Sequence, residues 1–133
     1  MSDSAAKLSI IELQNDYRSG KRTPSEAVSD IIEAIKLKDQ DVGAYLSFDP
    51  EMALEEATNA DINLPLGGVP IAIKDLINVK GQPCTCASRF LDSAYTSTYD
   101  ATVITKLRQA GAIPLGRTNM DEFAMGSSTE NSG

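Results

Sequence analysis

The sequence predicts a mixed α/β fold: an N-terminal helical hairpin leading into a mixed, partly parallel sheet flanked by helices. Three observations carry this expectation. Two amphipathic helical patterns fill most of the first 38 residues, an alternating strand-like run spans residues 66–76, and a helix-then-strand pattern over residues 100–116 follows it in the order of a parallel βαβ unit. At 133 residues the chain is long enough for one domain with a real core. Its 41% hydrophobic and 23% charged residues are close to the globular average, which excludes wholesale disorder. We read residues 1–62 as a mainly helical lead-in and residues 63–133 as the start of the α/β core of a single domain.

Residues 8–19 place Leu8, Ile10, Ile11, Leu13 and Tyr17 at mostly helical spacing, with Gly20 as the stop. The next helix starts more sharply, with Thr23 as N-cap, Pro24 at the first helical position and Glu26 closing a capping box. Its stripe is Ala27, Val28, Ile31, Ile32 and Ile35, and Lys36 and Lys38 suit the dipole near its end. Packing alone explains both helices. A short strand is expected over residues 44–48, then a helix starting near Asp49 and Pro50 and running through Met52, Ala53, Leu54 and Ala57. Leu64-Pro65-Leu66-Gly67-Gly68 reads as a turn into the strand that follows.

That strand ends in Ile71-Ala72-Ile73-Lys74. Pro70 near its start is tolerable because a first strand residue can do without its N–H. Alternation sends Ile71 and Ile73 to one face and Ala72 and Lys74 to the other. Two readings of Lys74 follow: a solvated lysine at a strand end, or a lysine in a small-residue niche that sheds solvent and proton to become a base. Residues 75–98 read as a long loop with short extended pieces, a length that in a compact domain is usually functional. Asp100 is the expected N-cap of a helix over residues 101–110, with Val103, Ile104 and Leu107 on its buried face and Gly111 as its stop. Residues 112–116 form the returning strand. Sites in such sheets lie at the carboxyl ends of the strands, here at Lys74 and at Arg117 to Asn119. The tail from Thr118 reads as a capped short helix running into a Ser-rich polar loop able to line a pocket.

Charge and composition exclude several functions. The net charge is −7, with 13 acids and 6 bases in residues 1–66 and 6 of each afterwards, so no basic stripe is available for a nucleic-acid backbone. Cys84 and Cys86 are too close for a structural disulfide, and with no histidine they fall short of a zinc site; they read as small buried thiols on one face of an extended segment. No metal site is expected. There is no signal-peptide pattern, no apolar run long enough for a membrane, and no phosphate-binding loop. A soluble, reducing compartment is expected: the cytoplasm, or the stroma or matrix of an organelle.

Four segments go beyond pattern: Gly67-Gly68-Val69-Pro70-Ile71-Ala72-Ile73-Lys74-Asp75, Tyr99-Asp100-Ala101-Thr102-Val103, Ala110-Gly111-Ala112-Ile113, and the run from Gly116-Arg117-Thr118-Asn119-Met120-Asp121-Glu122-Phe123-Ala124-Met125-Gly126-Ser127-Ser128 to Ser132. They closely resemble the amidase signature family, and within it the branch of A subunits of tRNA-dependent aspartyl/glutamyl amidotransferases. The resemblance runs from about Leu8 to the end of the chain. It implies an amidase signature fold, here truncated, and a Ser–cis-Ser–Lys triad in which Lys74 matches the lysine. In that scheme an unprotonated lysine draws a proton through a bridging serine from a nucleophilic serine, which attacks the side-chain amide of glutamine.

The resemblance places both serines beyond Gly133, so Ser127, Ser128 and Ser132 do not take their roles and the 133 residues alone are expected to be inactive. Met125, Gly126, Ser127 and Ser128 match the lining of the substrate pocket. The implied partners are B and C subunits, with ATP and magnesium in the B subunit and misacylated Glu-tRNA or Asp-tRNA reached through the complex; no cofactor is expected in this chain. Two other readings stand beside this one: an amidase of the same family acting on a small amide, and a non-catalytic module that binds partner subunits.

Overall fold

A computed structural model describes residues 4–91 and 95–133. Asp92 to Ala94, part of the loop expected over residues 75–98, lie outside the described residues. A 3-10 turn at Ala5–Lys7 is followed by α1 (Ile10–Arg18), α2 (Pro24–Val42), β1 (Tyr45–Ser47), α3 (Pro50–Thr58), β2 (Pro70–Lys74), α4 (Thr102–Gln109), β3 (Ile113–Thr118) and a 3-10 turn at Glu122–Ala124. The sheet order is β1-β3-β2, with β3 antiparallel to β1 and parallel to β2. The fold class is the predicted one, and β2, α4 and β3 form the βαβ unit.

The start signals of α2 and α3 act where expected, and α1 has a capping box of its own. Ser9 and Glu12 form a capping box on α1, and Thr23 and Glu26 form another on α2 behind Pro24. Asp49 caps α3 by accepting the N–H groups of Glu51 and Met52. Each such cap contributes about 1 kcal/mol. Leu13 and Tyr17 of α1 pack with Ala27 of α2 and Ala5. The rest of the α2 stripe, Val28, Ile32 and Ile35, packs with Ala53 and Ala57 of α3 on Ile113 and Leu115 of β3. Full burial of each large aliphatic side chain there contributes roughly 1.5–3 kcal/mol. Tyr17 also donates its hydroxyl to the Gly68 carbonyl at 3.0 Å, fixing the first helix against the turn that feeds β2.

Four expectations need correction. Helix α2 runs past Lys36 and Lys38 to Val42, so those lysines miss its last turn; Asp39 there accepts the N–H groups of Ala44 and Tyr45, which redirects the chain into β1. Asp100 does not cap α4. Its carboxylate accepts the Lys80 N–H at 2.7 Å and pairs with Arg108, and Ala101 occupies the cap position without a side-chain bond. Val103 is 47% exposed because only Ile104, with partial help from Leu107, faces Ile73 and Val79. The cysteine segment is not extended throughout: Cys86 and Ala87 have φ of 52° and 51°.

The register of β2 on β3 contains a bulge. Ile71 pairs with Pro114 but Ile73 pairs with Arg117, so β3 spends one extra residue over that interval. Gly116, at φ +68°, makes the bulge possible; a Cβ there would lie 2.8 Å from atoms of Tyr45 and Phe48. The bulge delivers the Arg117 side chain to the interior, where Nε donates to Asp75 Oδ1 at 3.2 Å and Nη2 donates to the Ile77 carbonyl at 2.7 Å. Both side chains of this pair are 2% exposed. The other Asp75 oxygen accepts the Thr85 N–H, the Thr85 hydroxyl and the Ala87 N–H, which fastens the long loop to the end of β2.

Replacing Arg117 with Met strands Asp75 in the interior without its counter-charge, and the intact protein is expected to lose about 3–5 kcal/mol in urea unfolding. A loss below about 1 kcal/mol, the scale of a surface pair, would show that the pair does not hold these elements together.

Candidate active site

Lys74 is the last residue of β2 and pairs in register with Thr118, the last residue of β3. Strand alternation, with Ile73 and Asp75 buried, turns the lysine outward, and its side chain is exposed. It meets solvent on one wall of a cavity of about 170 Å³ whose other walls are Asn119, Met120, Asp121, Ala124, Gly126, Ser127 and Thr129. This is the carboxyl end of the two parallel strands, where the topology places sites.

Of the residues expected to line a pocket, Gly126 and Ser127 share this cavity with Lys74. Met125 and Ser128 do not line it: Met125 is 84% exposed, and Ser128 turns its N–H to Asp121 and its hydroxyl to Glu130. A larger hollow of about 420 Å³ lies beside the 83–89 loop, lined by Leu46, Asp75, Thr85 and Ser88 among others. It contains no lysine, and Asp75, its buried acid, is already committed to Arg117 and the Thr85–Ala87 loop. Lys74 lies on the smaller cavity.

The terminal polar loop is ordered around one carboxylate that carries no signal in the sequence pattern. Asp121, 5% exposed, accepts the N–H of Ser128 and of Thr129 on Oδ2 at 3.1 and 3.0 Å and that of Asn131 on Oδ1 at 3.1 Å. The expected capped helix is only the 3-10 turn at Glu122–Ala124, with no side-chain cap, because the Asp121 carboxylate serves these later amides instead. Phe123, Ala124 and Thr129 all have positive φ, of 52°, 61° and 62°. Such conformations cost of order 1–3 kcal/mol each and persist only where surrounding bonds over-determine them. Here the Ser88 hydroxyl holds Glu122, the Phe123 N–H donates to the Cys86 carbonyl, and Ser132 donates its hydroxyl to Asn119. No period marks Asp121; the only trace is an acid followed at seven, eight and ten residues by small polar ones.

Burial pushes the Cys84 thiol up against the opposing pull of Arg117, and its Sγ donates to the Asp75 carbonyl at 3.4 Å, both of which favour the neutral thiol over the thiolate. Among the described residues no cluster of three or more acids and cysteines could hold a metal ion. None of the described helices is long and apolar enough to cross a membrane.

The N–H groups of Thr129, Asn131 and Ser128 hold the Asp121 carboxyl below the ordinary aspartate range, and burial opposes them only in part. A carboxyl depressed on folding stabilises the loop fully above its unfolded value, and that contribution is lost as pH falls through the depressed folded value. In NMR titration of the intact protein, the Ser128, Thr129 and Asn131 amides should shift together, with a midpoint below that of a free aspartate. A common midpoint at or above about pH 4 would contradict the assignment.

Residues 26–133 match the Amidase family model. The chain is 56% identical over 126 residues to the A subunit of glutamyl-tRNA(Gln) amidotransferase from Methylacidiphilum infernorum, covering 95% of this chain and 25% of that protein. It is 54% identical over 123 residues to the protein of the same name from Akkermansia muciniphila, covering 92% of this chain and 26% of that one. The crystal structure of the A subunit of glutamyl-tRNA(Gln) amidotransferase from Thermotoga maritima superposes with a TM-score of 0.79 at 36% identity, covering 99% of this chain and 27% of that chain. The chain thus spans about a quarter of the length of the relatives it matches. With the α/β fold, the lysine at a parallel-strand end and a family match over most of its residues, the chain belongs to the amidase family.

Proposed function

We propose that this chain is the lysine-bearing part of an A subunit that releases ammonia from glutamine for a tRNA-dependent amidotransferase, the product being Gln-tRNA(Gln) or Asn-tRNA(Asn). The observation that carries the reading is the position of Lys74, at the carboxyl end of the βαβ unit, facing a cavity lined by polar and small residues. Support also comes from the A-subunit names of relatives 45–56% identical to it.

In this reading Lys74 is the base of a Ser–cis-Ser–Lys triad. A lysine serves as a base only where water is excluded around it, and the remainder of the subunit closes over the cavity to do so. The lysine takes a proton relayed through a bridging serine from the nucleophilic serine; that oxygen attacks the glutamine carboxamide carbon, the C–N bond breaks, and the proton leaves with ammonia. Water then cleaves the acyl-enzyme to glutamate. Gly126 and Ser127 line the substrate side, with Met125 and Ser128 flanking them. Both serines of the triad come from the remainder of the subunit. ATP and magnesium act in a partner B subunit on the glutamate or aspartate of a misacylated tRNA, and a C subunit completes the complex.

The test is made in the complete subunit that carries these residues, assembled with its partners. Lys74→Ala should lower kcat for glutamine hydrolysis by at least about a thousandfold while leaving the melting temperature nearly unchanged, whereas Lys74→Arg, which cannot deprotonate, should be equally inactive. Turnover within about tenfold of wild type in either variant would remove Lys74 from the mechanism. Hydrolysis of simple amides but not of glutamine by the wild-type assembly would instead favour a small-amide hydrolase.

A further inference from the structure

We infer that Asp121 is a positioning residue that sets glutamine affinity by holding residues 126–131 in the shape that brings Gly126 and Ser127 against Lys74. The inference rests on the reading of the Lys74 cavity as the glutamine site. Four observations converge on it. Asp121 lines the cavity that Lys74 lines. Its two oxygens accept three backbone N–H groups, those of Ser128 and Thr129 on Oδ2 and that of Asn131 on Oδ1, whereas an asparagine in its place would turn an NH2 donor towards one of these sets of donors.

The held backbone is strained: Thr129, a β-branched residue at φ 62°, sits where such residues rarely rest, and its N–H is one of the three bound groups. Without the carboxylate, Thr129 gains energy by relaxing to extended backbone, and Ser127, two residues before it, moves with the loop. Finally, Gly126 leaves room for the approach. A Cβ at that position would lie 2.4 Å from Asp121 Cγ and 2.6 Å from Oδ2, so the loop reaches the carboxylate only because residue 126 has no side chain.

The carboxylate is fully engaged with backbone, and its oxygens are aimed at the amides of the loop. Its effect on chemistry is therefore indirect. It fixes where the cavity wall stands before substrate arrives, which removes an ordering cost from binding and leaves the proton relay untouched. Loss of the acid should thus raise KM and spare kcat.

Two lesions test this in the complete, assembled subunit. Asp121→Asn removes the charge and one of the two accepting oxygens; Gly126→Ala keeps the carboxylate and pushes the loop away from it. Asp121→Asn should raise KM for glutamine by about tenfold or more with kcat within about threefold; Gly126→Ala, at a residue that itself lines the substrate side, should raise KM likewise, and the double variant should bind glutamine no worse than the poorer single one, because both act through one loop. Hydrogen exchange at Ser128, Thr129 and Asn131 should accelerate at least about tenfold in both, with exchange in β3 unchanged. Wild-type KM in Asp121→Asn, or wild-type exchange at the three amides, would overturn the positioning role. A collapse of kcat at constant KM would also overturn it, by assigning Asp121 to the chemical step. A wild-type assembly inert towards glutamine would overturn the reading of the site itself, whatever the exchange rates show.

Discussion

The contact between Asp75 and Arg117 sets the geometry on which the rest depends. Forty-two residues apart in sequence, the two side chains meet in the interior with 2% of each exposed. A buried ion pair is a poor source of net stability, since desolvation consumes most of the attraction. What it supplies is uniqueness. Asp75 gathers donors from Thr85, Ala87 and Arg117 on its carboxylate and from Cys86 on its backbone carbonyl, and only one mutual placement of β2, β3 and the 84–87 loop satisfies them. The Gly116 bulge is the backbone cost of turning Arg117 inward, and Tyr45 and Phe48 close over the glycine so that nothing larger fits.

The consequence for Lys74 is directional. Consecutive residues of an extended chain point to opposite sides, so an aspartate pinned inside forces the preceding lysine outside. Asp75 is thus the reason that Lys74 faces the cavity rather than the core. Asp121 repeats the device on the next loop. Each carboxylate lies just past a strand end, each gathers backbone N–H groups from a segment with no regular structure, and each leaves residues with positive φ in that segment: Cys86 and Ala87 beside Asp75, Thr129 beside Asp121. Irregular backbone cannot satisfy its own donors. A buried carboxylate satisfies several at once, which lets two loops be rigid without secondary structure. The loops then lock together through Ser88 with Glu122, Phe123 with Cys86 and Gly133 with Ala87.

This division explains what is legible in the sequence. The start of α2 can be read to the residue, and that of α3 nearly so, because a cap is a local event: Thr23, Pro24 and Glu26 act on amides within three positions. The strand ending at Lys74 and the βαβ order are legible because period and connection length are also local. Asp100 shows the limit. Its position before α4 fits an N-cap, but Lys80 and Arg108 compete for the carboxylate, and neither competitor is visible from a window around residue 100. The same holds for the site. Lys74 emerges from its strand and from resemblance to a family; Asp75, Arg117 and Asp121 act across 7 to 42 residues of irregular chain, with no period to betray them. The family resemblance groups Met125 and Ser128 with Gly126 and Ser127, whereas the turn around Asp121 leaves only the latter two on the cavity that Lys74 lines.

The cavity wall is therefore built from electrostatics rather than from apolar packing, and that choice has a physical reason. An apolar wall positions side chains well but offers no donors, and it would leave the amides of residues 126–131 to seek water. The Asp121 carboxylate, itself part of the cavity lining, satisfies the N–H groups of Ser128, Thr129 and Asn131 without water. An ammonium on a four-carbon stem carries much rotamer freedom, which neighbouring groups restrict. The exposed Lys74 side chain is bounded on the strand side by Asn119 and Met120 and on the loop side by Gly126, Ser127 and Thr129, with Asn119 and Thr129 held by bonds to groups other than the lysine itself.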